Sequence, residues 1–323
     1  MARKLKGKIS SKGLKGALLN HQAKEERAKK IQQREKHVAA KGKPTKQPLR
    51  QKEQQQVRGS GFLPFSSDST VFLVGEGDFS FAKSIIEQQY IQPENLIITS
   101  FDSGIKELKL KYPHSFEENY NFLKENKVVM LFGIDATNLK KSLKITKKTP
   151  WQKVVGNSWT TKKLDFILFN FPHTGRGIKD QGRNIHEHQQ LVYKYFDSCK
   201  QLFRLVNSSQ TMLNSSISMG GYSLNNETRV DDEGYGKVVL SLFSGEPYDS
   251  WQIKILAKDN GWKVDRSGKF DWSKFPGYHH KRTNSEMDTT KPADERDARM
   301  YVFEMFNKRK HSKKPLKDDS DDE

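Results

Sequence analysis

The chain has 323 residues and a formal net charge of +18, with about a third of its residues hydrophobic and 19 Phe, 10 Tyr and 5 Trp to build a core. A single cysteine, Cys199, excludes a disulfide framework and a zinc site made of cysteines. No run reaches the ~18 apolar residues of a membrane span, and the basic N-terminus has no apolar segment behind it, so a soluble, intracellular, membrane-free protein is expected.

Taken in chain order, residues 1–62 read as a disordered basic arm. Residues 1–58 hold 18 Lys or Arg against 4 Glu, a net of +14, which leaves +4 for everything that follows. Its polar helical stretch has no face apolar enough to pack alone, and charge of this density favours contact with a nucleic acid. Residues 63–307 read as one domain. Short, continuously apolar strands are expected at Val71–Val74, Leu96–Phe101, Val128–Ile134 and Leu164–Phe169, followed by Val238–Phe243, Trp262–Phe270 and Met300–Phe306. Helices are expected at Phe79–Tyr90, Phe116–Glu125, Asn184–Leu205 and Ser250–Asn260, with Cys199 a small core residue of the third and Asp249 a helix cap. Alternation of buried strands with helices predicts an α/β fold, a doubly wound and mostly parallel sheet of seven strands with helices on both faces. Residues 207–236, rich in Ser, Asn, Gly and acids, read as a surface insertion, and 308–323 as a disordered tail with a basic and then an acidic cluster. The basic half of that tail suits a nuclear or nucleolar address.

In such a sheet the ligand edge is built from the residues that follow each strand. After the first come Gly75, Glu76, Gly77, Asp78 and Phe79, a glycine turn into a helix whose free N–H groups favour an anion. After the second come Asp102 and Ser103, with Asp102 27 residues beyond Gly75, placed to accept from ribose hydroxyls. After the third come Asp135 and Ala136, where a carboxylate can accept from an adenine amino group. Each also has a plain structural reading, the glycines as an ordinary turn and the aspartates as helix caps. Ser80 stands where a dinucleotide fingerprint needs its third glycine, and no P-loop motif occurs, which leaves S-adenosylmethionine as the common occupant of this edge.

The fourth strand ends in Asn170-Phe171-Pro172-His173, which resembles the N-P-P-Y type tetrapeptide of methyltransferases acting on planar nitrogens. There an amide accepts a hydrogen bond from the N–H to be methylated, while an aromatic ring, here Phe171 or His173, stacks on the base. The alternative is a proline-containing turn leaving a strand. His186 and His188 do not face one way on a helix, so no metal site is expected. "FPGYHHKRT", Phe275 to Thr283, mixes aromatics and cations as single-stranded RNA surfaces do, or joins the last two strands as a hairpin connection.

"LVGEGDFSFA", "TSFD", "GIDAT", "LDFILFNFPHTG", "SGEPYDSW" and "FPGYHHKRT", in order from about Val71 to Phe306, resemble the eukaryotic 25S (large-subunit) rRNA (uridine-N3)-methyltransferase family, of the Rossmann-like class I type. The resemblance implies transfer of a methyl group from S-adenosyl-L-methionine to N3 of a uridine in large-subunit rRNA during ribosome biogenesis. The nucleolus is the implied place, the pre-ribosomal particle the partner, and a monomer the active form. Asn170, Phe171, Pro172 and His173 are then the catalytic candidates. Asn170 also borders the cofactor, which Gly75–Phe79, Asp102, Ser103, Asp135 and Ala136 are expected to hold. N3 of uracil is an imide nitrogen that must lose its proton, and His173 is the ionisable group placed to accept it, with Asp78 or solvent hydroxide as substitutes. Two other readings compete: a non-catalytic ribosome-assembly RNA-binding factor on a methyltransferase fold, and a polyamine-synthase-like enzyme, which has no use for the basic arm.

Overall fold

The computed structural model describes residues 62–146, 148–217, 235–283, 285–288 and 292–306. The expectations for the basic arm and the tail lie outside these residues.

Among the described residues nine strands form in chain order: β1 Val71–Val74, β2 Leu96–Thr99, β3 Val129–Leu131, β4 Phe166–Asn170, β5 Lys237–Phe243, β6 Trp262–Lys269, β7 Lys281–Arg282, β8 Ser285–Asp288 and β9 Ala298–Met305. Seven make one sheet in the order β3-β2-β1-β4-β5-β9-β6, and β7 and β8 pair separately as a ribbon. The first five are mutually parallel, whereas β9 runs antiparallel to both β5 and β6. The α-helices among the described residues are α1 Ser80–Glu87, α2 Ile105–Lys111, α3 Phe116–Glu125, α4 Leu139–Ser142, α5 Trp151–Val155, α6 Gln181–Ile217 and α7 Ile253–Asp259.

The apolar strands feed two cores at once. Phe72 and Val74 of β1, with Ile167 and Phe169 of β4, face a core closed by α5, α6 and α7. Val71 and Leu73, with Phe166 and Leu168, face the opposite core, closed by α1, α2 and α3. Successive side chains point to opposite faces of a sheet, so a strand covered on both sides needs no polar alternation. All four residues of β1 are essentially inaccessible, and each large one contributes ~2 kcal/mol of burial free energy. A buried hydroxyl ties α6 to this sheet: Tyr195 Oη donates to the carbonyls of Ile167 and Val239 at 3.1 and 3.3 Å. Cys199 is fully buried in the same core, as expected.

Two expectations are corrected. The helix expected to end at Leu205 continues to Ile217, so the segment read as an insertion from Asn207 begins as helix, and its "MLNSSISM" stretch supplies no edge strand up to Ile217. Asn207 itself anchors the helix, its amide bonding both the N–H and the carbonyl of Leu164 at the start of β4. Asp249 is not the cap of α7. It lies in a 3-10 turn over Asp249–Trp251, and Gln252 occupies the cap position.

Strand order reverses at β1, whose neighbours β2 and β4 lie on opposite sides of it. The carboxyl ends of β1 and β4 therefore open into a crevice, the usual ligand position in an open α/β sheet.

Candidate functional site

A cavity of about 690 Å³ occupies that crevice. Its walls bring together Gly75, Glu76, Gly77 and Asp78 after β1, Asp102 and Ser103 after β2, Asp135 and Ala136 after β3, and Asn170, Phe171 and His173 after β4. Phe79 and Pro172 do not line it. Phe79 is fully buried, its ring 5.3 Å from Phe116 and 6.2 Å from Phe132, because its left-handed backbone (φ 65°) turns the side chain into the core beneath α1. The expectation that Phe79 contacts a cofactor is therefore corrected: it supports the turn from below.

The turn after β1 is internally bonded. Asp78 Oδ1 accepts from the Ser80 N–H at 3.1 Å and the Ser80 hydroxyl at 2.6 Å, while Oδ2 accepts from the Ser115 hydroxyl at 2.8 Å. Its backbone carbonyl accepts from Asn119 Nδ2 at 2.9 Å. One carboxylate thus joins the start of α1 to the start of α3. Gly75 stands at φ 70°, and a Cβ there would come 2.6 Å from the Phe169 ring, so the position requires glycine both by conformation and by space. Glu76 is buried, and desolvation, then the neighbouring Asp78, push its carboxyl up to about 8.

At the end of β2, Asp102 is paired with Lys111 of α2. Burial raises its carboxyl above the usual range, and Lys111 opposes that rise. Ser103 donates its N–H and hydroxyl to Glu107 at 2.9 and 2.8 Å. Asp135 takes the capping role that the sequence left open, its Oδ1 accepting from the Thr137 N–H and hydroxyl at 2.8 and 2.7 Å, yet it still borders the cavity. Among the described residues no group of three or more His, Cys, Asp or Glu is placed to hold a metal ion, and no helix is long and apolar enough to cross a membrane.

The turn after β4 is different. Asn170 is nine-tenths buried; its Oδ1 accepts from the Ser241 hydroxyl of β5 at 2.7 Å, while its Nδ2 has no partner. Phe171 adopts φ 45°, a strained conformation for a bulky residue, and is held there by ring contacts with Phe243 at 4.5 Å, Trp272 at 5.5 Å and His280 at 4.9 Å. It is buried, whereas His173 is exposed.

The histidines are oriented by the backbone. Gly175 N–H donates to His173 Nδ1 at 3.0 Å, so the neutral ring carries its hydrogen on Nε2. Thr174 N–H donates to His188 Nε2 at 3.4 Å, and His188 Nδ1 bonds the Asn184 carbonyl at 2.8 Å. His188 in turn stacks on Trp251 at 4.5 Å. Desolvation by the cleft walls, then the His188 ring, hold the His173 imidazole below its usual value, which keeps it neutral near pH 7.

Several cavity residues went unremarked in the sequence. Phe101 is 71% exposed although it borders the cavity, an unusual position for a large apolar ring beside Asp102. Lys111 and Arg176 were not singled out, and no strand-end rule finds them. Tyr278, His279, His280, Lys281 and Thr283 reach the cavity from the connection between β6 and β9. The aromatic and cationic composition of "FPGYHHKRT" was the available signal for that wall. Burial, then Arg296 and His173, push the His280 ring down to about 4.

The family model described as BMT5-like, rRNA (uridine-N3-)-methyltransferase BTM5-like, matches residues 72–282. The 25S rRNA (uridine(2634)-N(3))-methyltransferase of Saccharomyces cerevisiae is 52% identical over 336 aligned residues, covering 100% of this chain and 99% of its own. An uncharacterized Arabidopsis thaliana protein is 27% identical over 68% of this chain and 84% of its own. Among solved structures, the 16S rRNA (adenine(1408)-N(1))-methyltransferase of Catenulisporales acidiphilia is 8% identical at a TM-score of 0.32, covering 76% of this chain and 88% of its own. With two thirds of its length under the family model and a relative matched from end to end, the chain belongs to the BMT5-like rRNA (uridine-N3-)-methyltransferase family.

Proposed function

We propose that this protein transfers a methyl group from S-adenosylmethionine to N3 of a uridine in large-subunit rRNA, acting as a monomer in the nucleolus. The observation that carries this reading is the 52% identity, over the whole of both chains, with a yeast enzyme of that name. The basic arm, with its net +14, supports an rRNA substrate and a nucleolar address.

The cavity suits the cofactor. The glycine turn borders the cavity, and Gly75 packs too closely under the Phe169 ring to carry a side chain. The backbone of Gly75–Asp78 would hold the methionine end, Asp102 the ribose hydroxyls, and Asp135 with Ala136 the adenine edge. When bound, S-adenosylmethionine supplies an electrophilic methyl carbon on a sulfonium. Asp102 is then required as an acceptor, so its pairing with Lys111 must loosen or be shared when a ribose arrives. Asn170, Phe171 and Pro172 form the rigid end of β4 against which the base is positioned. His173, exposed at the mouth, offers a ring face to a base drawn out of its stack.

The purified full chain, incubated with labelled S-adenosylmethionine and large-subunit rRNA from cells lacking the protein, tests this reading. Label recovered in 3-methyluridine is expected. Binding of the cofactor without any transfer would favour an assembly factor, and label in another nucleoside would refute the uridine assignment.

A further inference from the structure

We propose that Tyr112 is a positioning residue that seats the Tyr278–Thr283 segment against the glycine turn, and that the seated segment is a wall that retains S-adenosylmethionine in the cavity. The proposal deepens the function proposed above and rests on its placing of the cofactor's methionine end at Gly75–Asp78.

Tyr112 follows directly on α2, whose last residue, Lys111, pairs with Asp102. It is 3% exposed, and its hydroxyl meets two parts of the chain that are far apart in sequence. On one side the hydroxyl donates to the backbone carbonyls of Arg282 and Thr283, at 3.2 and 3.4 Å, sharing its one hydrogen between them. On the other side it abuts Gly77, where a Cβ would come 2.9 Å from the Tyr112 Oη and 3.2 Å from its Cζ. Gly77, Tyr112, Lys281 and Thr283 all border the cavity. Gly77 is therefore glycine for a different reason from Gly75. It lacks the positive φ of Gly75, and what a side chain there would displace is the far end of the tyrosine. Burial, then the carboxylates of Asp102 and Asp78, hold the phenol well above its usual range, so it keeps the hydrogen it donates.

The segment held in this way runs between the two turns that shape the cavity. Toward the end of β4 its rings are packed: His280 lies 4.9 Å from Phe171 and 5.6 Å from Phe243, and Tyr278 lies 5.2 Å from Phe81. Toward the end of β1 its backbone reaches the glycine turn through the Tyr112 hydroxyl. Without that hydroxyl the two carbonyls turn to water, and the wall parts from Gly77 beside the methionine end. The exchange of one hydrogen bond for another is modest in free energy, which sets the size of the effect expected below.

The test is calorimetry of S-adenosylmethionine binding to the full chain, paired with turnover on large-subunit rRNA from cells lacking the protein. Tyr112→Phe keeps the buried ring and removes the hydroxyl. It is expected to raise the cofactor Kd and KM ~10-fold alike while kcat at saturating cofactor falls by less than ~3-fold. Hydrogen exchange should quicken in residues 278–283 and not in β1 or α1. Gly77→Ala should weaken binding at least as much, by pushing the hydroxyl off the carbonyls. In the double variant the two losses should not multiply, because both break the same contact. An unchanged Kd in Tyr112→Phe would overturn the proposal and leave the function intact. Losses that multiply in the double variant would overturn it too, by giving Gly77 a direct contact with the cofactor. A Tyr112→Phe chain that loses its cooperative melt would overturn it as well, since the tyrosine then serves the core. A wild-type chain that binds no S-adenosylmethionine would overturn it together with the function it rests on.

Discussion

The turns after β1 and after β4 lie side by side at the mouth of one crevice, yet they use their polar groups in opposite ways. In Gly75–Asp78 the carboxylate of Asp78 is bonded at both oxygens by Ser80 and Ser115, and Phe79 is folded into the core. That turn leaves a ligand its backbone along one edge of the cavity. In Asn170–Gly175 the backbone instead serves the side chains: Gly175 and Thr174 N–H groups bond two histidines, Ser241 bonds the Asn170 oxygen, and the buried Asn170 NH2 has no partner among the described residues. A cofactor that recurs in every turnover suits a finished cradle. A substrate base that must be recognised and activated requires unspent hydrogen-bonding capacity.

Substitutions in the first turn should therefore act through shape and stability. The largest effect is expected for Gly75→Ala, which places a methyl 2.6 Å from the Phe169 ring at a positive φ. It should cost about 3 kcal/mol in denaturant unfolding and abolish cofactor binding in calorimetry. Glu76→Gln comes next and has the opposite sign. The carboxyl of Glu76 is raised to about 8 in the folded chain from an ordinary 4.5, so the folded state holds its proton more tightly than the unfolded one. The stability this contributes is complete below pH 4.5 and is lost as pH rises towards 8. Thermal melts should show Glu76→Gln gaining on wild type across that window, by a few kcal/mol (order of magnitude) at its upper end. Asp78→Ala removes the link between α1 and α3 and should cost ~1–2 kcal/mol, read by the same unfolding curves. If it instead left stability unchanged and eliminated only turnover, the division between the two turns would fail. The smallest change is Lys111→Met. Without that ammonium the Asp102 carboxyl rises further, so cofactor affinity should fall away at a higher pH as the solution is acidified, while stability near pH 7 shifts by less than ~1 kcal/mol.

The sheet was legible because burial on both faces leaves a clear pattern: Val71–Val74 is apolar without interruption, Val238–Phe243 is broken only by Ser241, and both occur as strands nearly where expected. The short helices α2, α4 and α5 were not read, since four to seven residues hold too few turns for a 3.6-residue period to emerge. The last turns of α6 were hidden by a Ser- and Asn-rich composition that reads as loop. At the site, spacing from strand ends located Asp102, Asp135 and Asn170, but it could not reveal their bonding. The second oxygen of Asp78 is bonded by Ser115, 37 residues away, and the Asn170 amide oxygen by Ser241, 71 residues away. The wall from Tyr278 to Thr283 likewise reaches the crevice only through tertiary folding, with Tyr112 Oη donating to the Arg282 carbonyl at 3.2 Å.

The most direct measurement is nucleoside mass spectrometry of large-subunit rRNA from cells lacking this protein, re-supplied either with the wild-type chain or with Asn170→Asp. The account predicts that 3-methyluridine falls in the absence of the protein, returns with the wild type, and stays low with the variant although the variant still binds S-adenosylmethionine. An unchanged level of 3-methyluridine in cells lacking the protein would contradict it.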